Sequence, residues 1–348
     1  MIDFLQPWIR LKNKIGSGVD LYDDADEVVQ LWPSEERFSP QAFYDTNDLK
    51  RVRAAGWGTT LEYELLRISS GIKKHAATNL YRFKNAVMTN GHIRTKRGFH
   101  RVGLSPPRLV NKIPTARITK ASLGVTNLGL RFFGNWLLDD LPMMLAASES
   151  ASLISPQVNL SPHQVDYLDA LKIPIKVCQS AVIDDLYIID DRGFNSFRRE
   201  RVIAIRERLQ EGLSSSECSG VFFSRGTSGI RRFLVNEYEL RRSLVRRGII
   251  CIDPTSMPMR EILSLSAGAK VIIGVEGSHL SHAIWCMTKE SSMVVIQPPN
   301  RFDNNYKDRC DLLGNKYGFI VGEVAGKASD FSVDVGRLNI LLDAVLMG

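Results

Sequence analysis

The sequence predicts an α/β protein of two domains. Three observations lead there. At 348 residues the chain is too long for one ordinary core and suits two. Between Val221 and Gln297, short apolar runs alternate with segments of helical period. That βαβαβαβ order calls for a parallel, Rossmann-like sheet. The third observation is the stretch Ala269 to Met287, AKVIIGVEGSHLSHAIWCM. Val271-Ile272-Ile273 reads as a buried strand, Gly274 to His279 as a turn, and Leu280, Ala283, Ile284 and Met287 as one helical face. A strand, a glycine turn and a helix gather unpaired N–H groups at one point, where an anion is stabilised. The Lys-Ser/Thr of a Walker A loop and the third glycine of GxGxxG are missing. A plain ligand-free βα turn fits the same residues.

Composition narrows the classes. A hydrophobic fraction of 44% and a charged fraction of 24% are globular values. No apolar run approaches the ~18 residues of a membrane span. The opening MIDFLQPWIRLKNK has no long apolar core, so no secretory signal is expected. Cys178, Cys218, Cys251, Cys286 and Cys310 are odd in number and scattered, without CxxC or zinc spacing. A reducing compartment and no structural metal are the expectation. The net charge of +7 is carried partly by arginine clusters: Arg198-Arg199 with Arg201, Arg231-Arg232, Arg241-Arg242 and Arg246-Arg247. These favour anionic partners: a phosphorylated ligand, an anionic membrane surface or nucleic acid. Solvated helix faces explain doubled arginines equally well. No helix-turn-helix, zinc-finger or RNP signature supports nucleic acid.

Residues 1–78 read as an irregular lead-in with one helix, Thr59 to Ile68, carrying Leu61, Leu65 and Ile68 on one side. Residues 79–213 read as a first α/β domain. Asn90-Gly91 and Arg97-Gly98 predict turns joining short strands around Tyr81, Phe83 and Ile93. In LGLRFFGNWLLDDLPMMLAASES, Trp136, Leu137, Leu138, Leu141, Met144 and Leu145 make an apolar helical face. Pro142 predicts a kink or a helix start near Asp139-Asp140. A carboxylate buried there would have its pKa pushed towards general-base range. Equally, Asp140 would cap a helix and both acids would be solvated.

A helix with Val165, Leu168 and Leu171, strands at 173–177 and 186–189, and a basic helix from Arg198 to Gln210 follow. Leu213 to Gly220 is polar, aperiodic and reads as an interdomain linker. The second domain, 221–330, opens on the strand Val221-Phe222-Phe223. Its carboxyl end carries Ser224-Arg225, well placed for a ligand. A basic helix Asn236–Arg247, with Leu240 and Leu244 inward, ends at Gly248. The strand Ile249–Ile252 exits at Asp253-Pro254, a helix Met259–Ala267 leads to the central strand, and Val294-Val295-Ile296 forms another strand. Residues 331–348 read as a closing helix.

These residues resemble the catalytic region of glycosyltransferase family 61, a group that includes bacterial polysaccharide-biosynthesis proteins. Strand-Ser224-Arg225, then Arg231 or Arg232 with Asn236-Glu237, then Asp253-Pro254, then the loop Gly274 to Leu280 follow the family's order. Asn135-Trp136-Leu137-Leu138-Asp139-Asp140-Leu141-Pro142 resembles its His-Trp-x-x-Asp-x-Leu-Pro segment. The likeness covers roughly residues 80–325. The family's loop histidine is Glu276 here, its following glycine is His279, and its histidine before tryptophan is Asn135.

The resemblance implies a GT-B-like fold, with two Rossmann-like domains facing a cleft. It also implies inverting, metal-independent transfer of a hexosyl or pentosyl group from a nucleotide-sugar, often UDP-linked. No cofactor is needed beyond that substrate. The acceptor would be a glycan or lipid-linked glycan in capsule, lipopolysaccharide or related surface-polysaccharide assembly. In that reading Arg225 and Arg231 hold the diphosphate, Gly277, Ser278 and His279 add donors, Glu276 meets sugar hydroxyls and Asp253 contacts the nucleoside. Asn135 and Trp136 line the acceptor side or cleft, and Asp139, from the other domain, is the catalytic base. The protein would be cytoplasmic. The arginine doublets permit docking at the inner membrane but show no clear amphipathic stripe to establish it.

Plainer roles fit several of the same residues. Arg225 suits a sheet-end salt bridge, Asp253 before Pro254 suits turn chemistry, and Glu276 and His279 suit a mutual pair. His279 and His282 are spaced like a metal pair but lack a third ligand of recognisable spacing. Loss of the family histidines also fits a non-catalytic nucleotide-sugar or polysaccharide-binding protein. A nicotinamide dehydrogenase would need the absent GxGxxG.

Overall fold

The computed structural model describes residues 2–3, 9, 20–108, 111–213, 218–226, 229–326 and 329–347. The chain forms two compact units: Met1–Glu35 with His75–Val202, and Glu36–Lys74 with Ile203–Gly348. This differs from the division expected from sequence. Residues 36–74 belong to the second unit rather than to a separate lead-in. The later boundary falls inside a helix rather than at 213–220, of which 214–217 lie outside the described residues. Polarity marks where a chain leaves a periodic element. Which core each flank joins is decided by long-range contacts.

The first unit is built on an eight-stranded sheet. Its strands are β1 (Glu27–Trp32), β2 (Thr78–Thr89), β3 (His92–Arg94), β4 (Phe99–His100), β5 (Arg117–Leu123), β6 (Leu153–Ser155), β7 (Ile175–Val177) and β8 (Ala181–Asp190). The order is β7-β6-β5-β8-β2-β3-β4, with β1 also on β2. β7, β6, β5 and β8 run parallel, and the pairings from β8 onward are antiparallel. This unit is therefore a mixed sheet, where a second Rossmann-like one was expected. The Asn90-Gly91 turn is where the sequence puts it. Both residues have positive φ, 49° and 74°, which matches the twist of a tight hairpin. The three helices used below are α1 (Leu141–Ser150), α2 (Pro162–Leu171) and α3 (Ser196–Gln210). Ser161 and Gln164 close a capping box at the start of α2.

The second unit is a doubly wound parallel sheet. Its strands are β9 (Gly220–Phe223), β10 (Ile249–Ile252), β11 (Val271–Val275), β12 (Ser292–Gln297) and β13 (Lys316–Val321), in the order β10-β9-β11-β12-β13. All four pairings are parallel. Helices α4 (Glu237–Arg246), α5 (Met259–Ser266), α6 (Asn305–Leu313) and α7 (Val335–Met347) complete it. Every residue of β11 and β12 is buried, which is why they read as continuous apolar runs. Phe222, Ile273, Val294, Leu240, Leu244, Leu338 and Leu342 share one core. Truncating Leu240 to alanine there is worth about 2–5 kcal/mol. The chain winds away from β9 in one direction and from β11 in the other. The gap between their carboxyl ends is the switch point where open α/β sheets receive ligands.

Two local expectations change. The helix Leu61–Ile68 is capped by Thr60, whose side chain accepts from Tyr63 N at 3.2 Å. It buries Glu64 and Ile68 and leaves Leu61 and Leu65 exposed, because Glu64 anchors a polar network. The segment after Gly277 is a 3₁₀ helix, Ser278–Trp285, and not an α-helix. Its residues from His279 to Trp285 are all buried, so close packing on every side selects the tighter winding.

Candidate functional site

Arginines gather at the switch point of the second unit. Arg225 follows β9, and its Nη1 donates to the Glu276 carbonyl at 3.2 Å. The same Nη1 lies 3.5 Å from His279 Nδ1, and Nη2 donates to the Ile230 carbonyl at 2.8 Å. Arg232 donates to the same Glu276 carbonyl at 2.8 Å and pairs with the Glu276 carboxylate at 2.6 Å. Arg301 reaches that carboxylate at 3.0 Å and lies 3.8 Å from Asp303. Arg225, Arg232, Glu276 and His279 are all buried.

The close approach requires a glycine. A Cβ on Gly277, whose φ is 151°, would overlap Arg225 Nη1. The Gly277 carbonyl accepts from Tyr306 Oη at 2.8 Å, which fixes the turn from its far side. The loop carrying Arg301 is held by a short backbone ladder. Arg53 N donates to the Pro299 carbonyl at 2.7 Å, Phe302 N to the Ala54 carbonyl at 2.9 Å, and Gly56 N to the Phe302 carbonyl at 2.9 Å. Buried Glu64 accepts from Asn304 N at 2.6 Å. Residues 36–74 thus brace one wall of the cluster.

Burial sets its electrostatics. Desolvation lowers Arg225 to about 10, and the neighbouring Arg232 adds to the effect. Arg232 is lowered for the same first reason, against the opposing pull of Glu276. Glu276 is raised by its burial despite two cationic partners. His279 is held neutral: desolvation, then the Arg225 charge, brings it down to about 3. Arg232 and Arg301 share the Glu276 carboxylate, and Arg225 donates to the Glu276 carbonyl beside it. Nη and Nε donors in excess, held away from water, are the chemistry of an anion site. The Nε atoms of Arg225 and Arg232 are buried without a hydrogen-bond partner.

The other residues expected in this region lie apart or take local roles. Arg231 is more than half exposed and makes a bidentate pair with Asp330 at 2.8 and 2.9 Å, so Arg232 is the member of the doublet that enters the cluster. Asp253 accepts from Thr255 N at 3.0 Å and Thr255 Oγ1 at 2.7 Å, an Asx turn closing the exit of β10. Ser278 starts the 3₁₀ helix. Ser224 bonds Glu237 and steadies the exit of β9. Among the described residues no group of three His, Cys, Asp or Glu side chains is set to hold a metal ion. Arg301 and Tyr306 were missed by sequence reading. The signal for Arg301 was its place just after the carboxyl end of β12.

In the first unit, Asp139 sits on one π-helical turn, Trp136–Asp140, that runs into α1. Pro142 explains the turn. It has no N–H for the Leu138 carbonyl, and Arg198 Nη2 donates to that carbonyl at 2.8 Å instead. The same Nη2 meets Asp139 at 2.5 Å, and Asn135 Nδ2 donates to Asp139 from the other side at 2.9 Å. Arg198 is almost fully buried; desolvation pulls its pKa down, and Asp139 and Asp191 more than offset that. Arg201 is also buried and forms a two-point pair with Asp191 at 2.7 and 3.1 Å. The sequence left both open between an anionic partner and a solvated helix face; the structure gives them internal carboxylates instead.

Asp140 is fully buried. It accepts from Thr126 N at 3.0 Å and Oγ1 at 2.8 Å, and desolvation raises its pKa well above the ordinary value. It therefore ties the cap of the short helix Asn127–Arg131, rather than capping α1 from solvent. Asp139 keeps a side chain 27% exposed. Trp136 is fully buried and stacks on Phe133 at 6.3 Å, so its ring is part of the core.

Residues 133–294 match the model of a family described as glycosyltransferase 61. The protein is a glycosyltransferase. The match covers a little under half of the chain and includes the Asp139 turn, Arg225, Arg232 and Glu276. As a glycosyltransferase it acts on a sugar donor and an acceptor. No curated protein matches the transferase. Among solved structures, the bacterial iron-containing dodecameric glycosyltransferase TibC from enterotoxigenic E. coli is 11% identical. Its TM-score is 0.35 over 78% of this chain and 93% of that one. The Flv1 flavodiiron core from Synechocystis follows at 12% identity and a TM-score of 0.26, over 61% of this chain and 48% of that one. The flavodiiron protein from Giardia intestinalis is 10% identical with a TM-score of 0.25, over 52% and 46%. Likenesses this low carry nothing about the fold or chemistry of the transferase.

Proposed function

We propose that the transferase binds the diphosphate of a nucleotide-sugar donor, UDP-linked in our reading, between the carboxyl ends of β9 and β11. One observation carries this: among the described residues, buried Arg225 and Arg232, both donating to the Glu276 carbonyl, and half-buried Arg301 have one close carboxylate between them, that of Glu276. Lowered pKa values on two buried arginines mark a place where added negative charge is stabilising. A diphosphate leaving group supplies it, and the guanidinium groups neutralise the charge that develops as it departs. That chemistry is metal-independent. The parallel, doubly wound sheet of the second unit supports the Rossmann-like donor half of a GT-B-like reading.

The transfer is read as inverting. The acceptor oxygen attacks the anomeric carbon, the bond to the diphosphate oxygen breaks, and the hydroxyl proton passes to a carboxylate. Asp139 is the proposed acceptor of that proton. Its partly exposed carboxylate is aimed by Asn135 and Arg198. The acceptor is a glycan or lipid-linked glycan of surface-polysaccharide assembly.

Thermal unfolding with nucleoside diphosphates, with and without chelator, tests the donor site. A ligand at about 100 times its Kd adds about 2.7 kcal/mol to the native state. The expected result is a chelator-insensitive rise with UDP that Arg225→Ala and Arg232→Ala both abolish. No rise with any nucleoside diphosphate at millimolar levels would sink the reading. Asp139→Asn tests the base separately. Turnover should drop about 10²–10⁴-fold while UDP binding is kept; wild-type turnover removes Asp139 from the role.

A further inference from the structure

The arginine doublets at 241–242 and 246–247 take no part in the site described above. In α4, Tyr238, Arg241, Arg242, Val245 and Arg246 are all exposed. Their spacing of i, i+3, i+4, i+7 and i+8 places them on one face. Tyr238 and Val245, 76% and 60% exposed, form its midline. Arg241 falls on one side of that line, and Arg242 and Arg246 on the other. Glu239 is the one exposed acid of the helix.

Helix α7 lies alongside. Asn339 Nδ2 donates to Ser243 Oγ at 3.1 Å, and Arg247 pairs with Asp343. The most exposed residues of α7, Gly336, Ile340, Ala344, Leu346 and Met347, are uncharged, and the half-exposed carboxylate of Asp343, on the same face between Ile340 and Met347, is the one held by Arg247. Ile340 is 71% and Met347 81% exposed. Leu240 and Leu244 of α4 and Leu338, Leu342 and Val345 of α7 enter the same core. The two outer faces therefore look the same way, and an apolar strip runs beside a cationic one.

We propose that this paired face of α4 and α7 docks on an anionic lipid surface. An aromatic-apolar midline flanked by arginines suits the boundary between headgroups and acyl chains. The ring and the aliphatic groups settle inward, and the long guanidinium stems reach back to the phosphates. Arg241, Arg242 and Arg246 supply the attraction to anionic headgroups. The apolar strip of α7, its half-exposed carboxylate already held by Arg247, offers an acidic protein no cation to pair with, whereas acyl chains need no partner groups. The inference does not depend on the donor site.

The test is co-sedimentation of the full chain with phosphatidylcholine vesicles, with and without phosphatidylglycerol, at low and high salt. Binding is expected only with phosphatidylglycerol, weakening as salt rises. Replacing Arg241, Arg242 and Arg246 together by glutamine should lower the partition coefficient about a hundredfold, from roughly fivefold per guanidinium. Ile340→Ser with Met347→Ser should lower it several-fold, at unchanged salt dependence. All these positions are exposed, and the UDP-induced thermal shift should be unchanged in every variant. Equal binding to neutral vesicles, or wild-type binding by the triple variant, overturns the proposal. So does a wild-type chain that ignores all vesicles, which would leave the face to an acidic protein.

Discussion

Each unit buries arginines, and the two balance them differently. In the first, Arg198 and Arg201 meet Asp139 and Asp191, two cations against two carboxylates. In the second, Arg232 and half-buried Arg301 pair with Glu276, Arg225 reaches only the Glu276 carbonyl, and Asp303 lies 3.8 Å from Arg301. Desolvation is the leading influence on both Arg198 and Arg225, yet the pKa of Arg198 ends raised and that of Arg225 lowered. The sign follows the local balance. Matched charges lock a helical turn in place. Unmatched ones leave guanidinium donors over, as the proposed donor site requires.

Three experiments would break or sharpen that contrast. Asp191→Ala strands Arg201 in a buried place, so unfolding by urea should reveal a loss of about 3–5 kcal/mol. Its affinity for UDP should not change. A loss under about 1 kcal/mol would mean that the first cluster is not a lock. Gly277→Ala acts in the other unit. The new methyl group must displace the Arg225 guanidinium, at a cost of about 1–3 kcal/mol. Calorimetry should show UDP affinity lowered tenfold or more; an unchanged affinity would separate Arg225 from the ligand.

The smallest effect concerns His279. Its folded-state pKa, about 3, lies below the ordinary 6.5, so the unfolded chain takes up the proton first. Stability is fully present above about 6.5 and is lost as pH falls towards 3. His279→Gln removes that contribution, about 1–2 kcal/mol at about pH 5. The fall in Tm from neutral to acid pH should be shallower than in the wild type. Parallel curves would mean that His279 is not held neutral in the folded state.

Much of the second unit was legible. Apolar runs at 221–223, 249–252, 271–273 and 294–296 announce buried strands, and helical spacing between them leaves a parallel crossover as the natural connection. The strand Lys316–Val321 and the helix Asn305–Leu313 escaped notice, because neither has a strong apolar period of its own. At the site, Arg225 could be singled out because it ends a strand. The choice between Arg231 and Arg232 could not be made, since neighbours on an extended segment point opposite ways. Arg198 looked like a surface residue because its partners, Leu138 and Asp139, lie about sixty positions earlier.

The sequence by itself determined the α/β class, the hairpin at Asn90-Gly91, the buried strand Val271-Ile272-Ile273 and the alternation of strands and helices between Val221 and Gln297. These depend on local periodicity and turn chemistry, which a linear reading contains. Only the tertiary structure decided that residues 36–74 brace the second unit, that Pro142 makes a π turn filled by Arg198, and which arginines are buried in excess of their carboxylates. Those outcomes depend on burial and on partners far apart in the chain. Charge balance at a point is a sum over neighbours, and the fold chooses the neighbours.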